Sequence, residues 1–189
     1  HIFIKDKVFH VFENKKIKDK VYPKKPFITS TLQQTSQNEL GFPVEMTMNI
    51  AQKLYDEGHI TYMRTDSTFI SNDFQDKIKQ KISENYNENY YQSPNQKKVK
   101  GAQEAHEAIR PTNLERIPDL DEVSFKLYNL ILKRTITSHM KPAEYDVYKL
   151  KLNNENTKEY GYFKTNYRQL TFPGFQIYGK KDIKIDEKP

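Results

Sequence analysis

Residues Met46–Ser67 read MTMNIAQKLYDEGHITYMRTDS, and a change of period inside this stretch decides how the chain is divided. Met46, Ile50, Leu54 and Tyr55 fall at helical spacing, the pattern of an amphipathic helix that turns one stripe to a core. Pro43 and Thr47 sit near its start, and Gly58 supplies a C′ residue at which a helix stops. His59–Met63 then reads as a short strand or extended segment. Side chains alternate along extended backbone, so Tyr62, Arg64 and Asp66 are expected on one face.

Downstream, Ser71 is a candidate N-cap for a helix whose apolar face includes Phe74, Ile78 and Ile82. Glu84–Lys100, rich in Asn, Gln, Tyr and Lys, reads as a surface loop. From Leu120, the set Val123, Leu127, Leu130 and Ile131 predicts a further helix that ends before Lys141 and Pro142. Both ends of the chain return to a period of two. Ile2–Phe12 alternates, broken at Val8 and Phe9, as one or two half-buried strands; Tyr145–Leu152 begins a β region that continues to Ile185, punctuated by Pro173 and Gly174. Tyr22, Pro23, Pro26 and Phe27 stiffen the crossing into the middle. The expected fold class is α+β, with residues 1–28 as the first part of a β-rich domain, 29–141 as a mostly helical domain, and 142–189 as the second β-rich part. The helical domain is thus inserted into a β domain built from both ends of the chain, as insertion tolerates where ends lie close.

A length of 189 residues permits one large domain or two small ones. The formal net charge of +6 and pI near 9.2 suit a polyanionic partner, although a lysine-rich solvated surface produces the same balance. The absence of cysteine excludes disulfides and thiolate metal sites. No apolar run approaches the roughly 18 residues of a membrane span, and no signal peptide opens the sequence; a cytoplasmic protein without membrane partners is expected. The chain begins with His1 rather than Met and reads as an excised piece, with catalytic groups expected outside it.

The run TYMRTDS gathers a phenol (Tyr62), a guanidinium (Arg64), a hydroxyl (Thr65) and a carboxylate (Asp66) within five residues. A phenol can attack phosphorus while a cation stabilises charge growing on the non-bridging oxygens, and arginine pairs with phosphate at two points. With an ordinary pKa of about 10, a phenol also leaves more readily than an aliphatic alcohol, which suits a bond that must be resealed. By chemistry alone, however, Tyr62 is one of 13 tyrosines, and Arg64 with Asp66 reads equally well as an exposed ion pair. A second cluster, AQEAHEAIRPT, holds His106, Glu107 and Arg110 before Pro111. His106 is placed to orient an acid or hold phosphate, yet a lone histidine is more often structural. HEAIR lacks the second histidine of the HExxH zinc signature, and no structural metal is expected.

PFITSTLQQ at Pro26–Gln34, LGF, TM and AQKLYDEGHITYMRTDS up to Ser67, AHEAIRPT at Ala105–Thr112, KPAEYD from Lys141 and LTFPGF from Leu170 resemble, in order, the type IA DNA topoisomerases. Met63 between tyrosine and arginine resembles the bacterial topoisomerase I branch, whereas topoisomerase III more often has proline there. The resemblance implies that the helical domain carries the active-site tyrosine and that the β-rich pieces form an arch. It implies that Tyr62 becomes linked to the 5′ phosphate of a cut strand, that Arg64 stabilises the scissile phosphate, and that His106 acts near the site with Asp66 as partner. Gln52 and Asp56 match positions lining the DNA path, Asp56 standing where glutamate is usual; Thr65 and Arg110 join them as expected DNA-binding residues. Mg²⁺ is implied for the full-length enzyme, held by a toprim domain that this sequence lacks, with no metal in the fragment and no ATP. The expected partner is single-stranded DNA, the expected state a monomer, nucleoid-associated if bacterial, and the fragment alone is expected to be inactive. A topoisomerase III or reverse gyrase fragment, or a non-catalytic single-stranded DNA-binding module, is the rival reading.

Overall fold

Proline at 23 and at 142 brackets a change from strand to helix and back, and the computed structural model divides at these two points. It describes residues 8–93, 107–155 and 158–180. One compact unit is Pro23–Lys141; the other comprises the described parts of His1–Tyr22 and Pro142–Pro189.

The first unit holds four helices among its described residues: α1 (Thr29–Leu40), α2 (Val44–Asp56), α3 (Asn72–Tyr86) and α4 (Glu122–Thr137). α2 ends as its sequence predicts, with Gly58 in the left-handed region at φ 76°. Its buried stripe is rotated from the expected one. Thr47, Ala51 and Leu54 are buried, whereas Met46 and Tyr55 face solvent, because Thr47 Oγ1 donates to Ser36 Oγ of α1 at 2.9 Å. α1 has no apolar period to announce it: it buries Leu32 with the small polar Thr35 and Ser36, and stops at Gly41, φ 72°. α3 buries Phe74, Ile78 and Ile82 as expected. It runs on through Tyr86 into a 3-10 turn at Glu88–Tyr90, correcting the expected loop from Glu84; residues 94–100 lie outside the described residues. α4 is capped by Asp121, whose carboxylate accepts from the N–H groups of Val123 and Ser124. Lys53 first, then Ser124, holds that carboxyl well below its usual range. The core joins Phe27, Leu32, Leu54, Ile60, Met63, Ile109, Leu127 and Ile131. Phe27, on the β-rich side of the expected boundary, is fully buried here and bridges Ile109.

His139, just past α4, is fully buried. Its Nδ1 lies 3.0 Å from the Thr135 carbonyl, which can only accept, so Nδ1 carries the proton and Nε2 is left without a partner among the described residues. Burial pushes its pKa below the ordinary 6.5. The ring is therefore disfavoured in its charged form by the fold and takes up a proton more readily when unfolded. Its contribution to stability is complete above about pH 6.5 and is lost as pH falls towards the lower folded value. Melting curves taken between about pH 8 and pH 5 should fall more steeply on the acid side for the native chain than for His139→Gln; parallel curves would refute the assignment.

The second unit is a three-stranded antiparallel sheet ordered β1 (His10–Val21), β2 (Ala143–Asn153), β3 (Phe163–Phe172). β1 pairs with β2 from Val21 opposite Ala143 to His10 opposite Asn153, with a bulge between Val11 and Glu13. β3 is followed by a 3-10 turn at Gly174–Ile177. The first strand was expected at Ile2–Phe12; it instead runs through the lysine-rich KKIKDK, and Ile2–Lys7 lies outside the described residues. The reason lies in its burial, which does not alternate: nearly every β1 side chain is exposed, and the ladder to β2 rather than an apolar face holds the strand.

Candidate active site

The segment after α2 carries the phenol, and it is clamped from two sides. On one side Thr61 donates through its N–H to the Arg110 carbonyl at 2.9 Å and through its hydroxyl to the Ala108 carbonyl at 2.7 Å, and Ile60 bridges Pro111. On the other, Thr29, the first residue of α1, donates through Oγ1 to the Met63 carbonyl at 2.7 Å and accepts the Thr65 N–H at 2.9 Å. Its own N–H donates to the Thr65 carbonyl at 2.9 Å. Ile60 and Met63 are buried anchors, each 1% exposed.

Between the clamps the backbone bends at Thr61, Met63 and Arg64, and beyond the bridge at Ile60 it is not strand. Burial still alternates: Tyr62, Arg64 and Asp66 are exposed while Met63 and Thr65 are buried. Tyr62 is 39% exposed. Its ring meets the ring of Tyr55, from α2, edge to face at 5.2 Å between centroids. Arg64 and Asp66 line an open depression of about 450 Å³ with Ile28, Thr29, Ser30 and Gln33. This depression opens at the N-terminal end of α1, where the helix dipole favours negative charge. No ion pair engages Arg64 among the described residues, and the alternative reading of Arg64 with Asp66 as an exposed pair finds no support there.

A family model for DNA topoisomerase matches residues 3–189 of the chain. The chain belongs to the bacterial type IA DNA topoisomerase family. It is 44% identical over 189 residues to DNA topoisomerase 1 of Rickettsia bellii, covering 91% of this chain and 23% of that protein. It is 42% identical over 162 residues to DNA topoisomerase 1 of Mycobacterium leprae, covering 81% of this chain and 17% of that one. The solved full-length topoisomerase I of Thermotoga maritima superposes with a TM-score of 0.80 at 36% identity, over 96% of this chain and 31% of that chain. The chain thus spans about a quarter of the length of the Rickettsia bellii relative.

Within this topoisomerase chain the remaining expected site residues fall into three groups. Gln52 and Asp56 stand one turn apart on the exposed side of α2, the Gln52 amide donating to the Asp56 carboxylate at 2.8 Å. Thr65 is buried, and its hydroxyl accepts the Ser67 N–H at 3.1 Å within the loop. Arg110, expected at DNA, is committed inside the protein: it is ion-paired to Glu107, donates to the Pro111 carbonyl at 2.9 Å and stacks on Phe74 at 3.7 Å. Only 11% of its side chain is exposed, and these partners tie it to the 107–111 segment. His106 lies outside the described residues.

No site role attaches to Thr29, Thr61 or Tyr55 in the sequence alone, and Glu107, named there only as part of a cluster, accepts the Ser71 N–H at the head of α3 through its carboxylate at 2.7 Å. The signal was present, since each lies inside a motif of the resemblance, but their role depends on partners distant in sequence. Thr29→Val keeps the shape and removes the hydroxyl that holds both Met63 and Thr65. Leaving those backbone groups without it should cost about 1–3 kcal/mol, read as a lower melting temperature together with a slower covalent reaction. Unchanged melting would show that the clamp is dispensable.

Proposed function

We propose that this chain carries the strand-cutting tyrosine of a type IA topoisomerase that relaxes negatively supercoiled DNA. The observation that carries the reading is the exposed Tyr62 beside Arg64, which has no ion pair among the described residues, on a loop held by Thr29 and Thr61. Tyr62 Oη attacks the phosphorus of a single-stranded DNA, forming a 5′-phosphotyrosine ester; the bond to O3′ breaks, and the released 3′ oxygen takes up a proton. After strand passage the 3′ hydroxyl attacks back and the phenol leaves, so the bond energy is stored without ATP. Arg64 stabilises the charge on the non-bridging oxygens. By the family resemblance His106 acts near the same phosphate with Asp66 as its partner, and Gln52 and Asp56 border the DNA path.

The sheet built from both ends of the chain forms part of the arch through which a strand passes, and the inserted helical unit carries Tyr62. The pairing of β1 with β2, which brackets residues 23–141 in sequence, supports this. Mg²⁺ belongs to a toprim domain of the whole enzyme. The whole protein acts as a monomer at the nucleoid.

The test traps full-length protein on a labelled single-stranded oligonucleotide and maps the modified peptide. Attachment at Tyr62 is expected. Attachment at any other tyrosine would reject the reading.

A further inference from the structure

The sheet register sorts its charged side chains onto two faces of opposite design. On one face the lysines of β1 meet acids: Lys16 pairs with Asp146 at 2.6 Å, Lys20 with Glu144 at 2.7 Å, and Lys18 stands opposite Asp146. On the other, Lys15 stands directly opposite Lys149, and Lys151 directly opposite Lys164. Like charges directly opposed on neighbouring strands destabilise a sheet, and a bound polyanion relieves two such pairs together. Arg168, opposite Val147, adds a fifth cation. The face has two acids, and both are already paired, Glu13 to Lys151 at 2.6 Å and Asp19 to Arg168 at 2.9 Å. Lys15, Lys149 and Lys164 have no ion pair among the described residues.

Aromatic rings stand among these cations. The Tyr162 ring, 46% exposed, has Lys151 Nζ at 5.1 Å and Lys164 Nζ at 5.4 Å from its centroid. Phe12, at the β1 bulge and 53% exposed, meets Tyr162 edge to face at 5.7 Å. Cations that track a backbone beside exposed rings match a strand whose bases are free to stack. A duplex keeps its bases stacked inside and has no use for the rings.

We propose that the face bearing Lys15, Lys149 and Lys164, with Tyr162 and Phe12 at its edge, is a second binding surface for single-stranded DNA. It belongs to a different unit from Tyr62 and does not rest on that residue's role.

The test uses full-length enzyme and an iododeoxyuridine-containing single-stranded oligonucleotide, cross-linked by light and mapped by mass spectrometry. A cross-link on a peptide containing Tyr162 or Phe12 is expected, and it should persist in Tyr62→Phe, which separates this surface from the cutting site. The triple variant Lys15→Gln, Lys149→Gln, Lys164→Gln should lose that cross-link. It should also lower the salt dependence of oligonucleotide affinity by about 2 in log–log slope, at about 0.7 per phosphate released. Tyr162→Ala should weaken binding about fivefold or more. Both opposed pairs are relieved in the triple variant, so its melting temperature is held or raised and lost binding is not lost fold. Absence of the cross-link, an unchanged salt slope, or equal competition by duplex of the same sequence would each overturn the proposal.

Discussion

Tyr62→Phe in the full-length enzyme should abolish the covalent DNA adduct and reduce relaxation by on the order of 10⁴-fold or more, the scale of losing a covalent nucleophile. The substitution removes one oxygen and nothing else. The ring that meets Tyr55 at 5.2 Å is retained, the anchors Ile60 and Met63 are untouched, and the backbone clamps run through Thr29 and Thr61. Because the side chain is 39% exposed, stability should stay within about 0.5 kcal/mol of the parent, as for surface substitutions. Denaturing gels of the enzyme on labelled single-stranded DNA give the readout. A persisting adduct at normal yield would remove Tyr62 from the mechanism, whereas a lost adduct accompanied by a large drop in melting temperature would point to a fold defect instead.

Arg64→Ala should slow cleavage by about 10²–10³-fold, the range for removing one preorganised group that stabilises transition-state charge, while oligonucleotide affinity falls by less than about tenfold. The asymmetry follows from position. Arg64 lines the depression at the start of α1 with no ion pair among the described residues, so its charge is available, and a phosphate that becomes more negative in the transition state gains more from it than the ground state does. Arg64→Lys should recover only part of the rate, because an ammonium cannot offer the two parallel bonds of a guanidinium. Single-turnover cleavage measured beside equilibrium binding separates the cases. Equal losses in both would make Arg64 a binding residue only.

The parts of the fold that were legible are those where apolar side chains repeat. Phe74, Ile78 and Ile82 announce α3, and Leu127, Leu130 and Ile131 announce α4, because each is a stripe that must find a core. α1 was invisible to the same reasoning, since its buried face is one leucine, Leu32, with the small polar Thr35 and Ser36, and Thr47 answers Ser36 with a hydrogen bond. Of β1 only the start, His10–Phe12, was legible, for the converse reason. Its lysines look like a solvated linker, and only the ladder to a strand more than a hundred residues later makes them a strand.

At the site, residue types and their order set the chemistry on offer: a tyrosine, an arginine and an aspartate at alternate positions, within motifs of a recognisable family. Tertiary structure decided which of the named residues are available. Alternation survives without a strand because Met63 and Thr65 are pulled inward by the core and by Thr29, leaving Tyr62, Arg64 and Asp66 outward. Arg110 is a DNA contact by what the resemblance implies, and in the fold Glu107 and Phe74 pack around it; no local pattern encodes that enclosure. Residue type sets what a side chain can do; the partners that hold or occupy it come from distant parts of the chain, and they are specified only once the chain has folded.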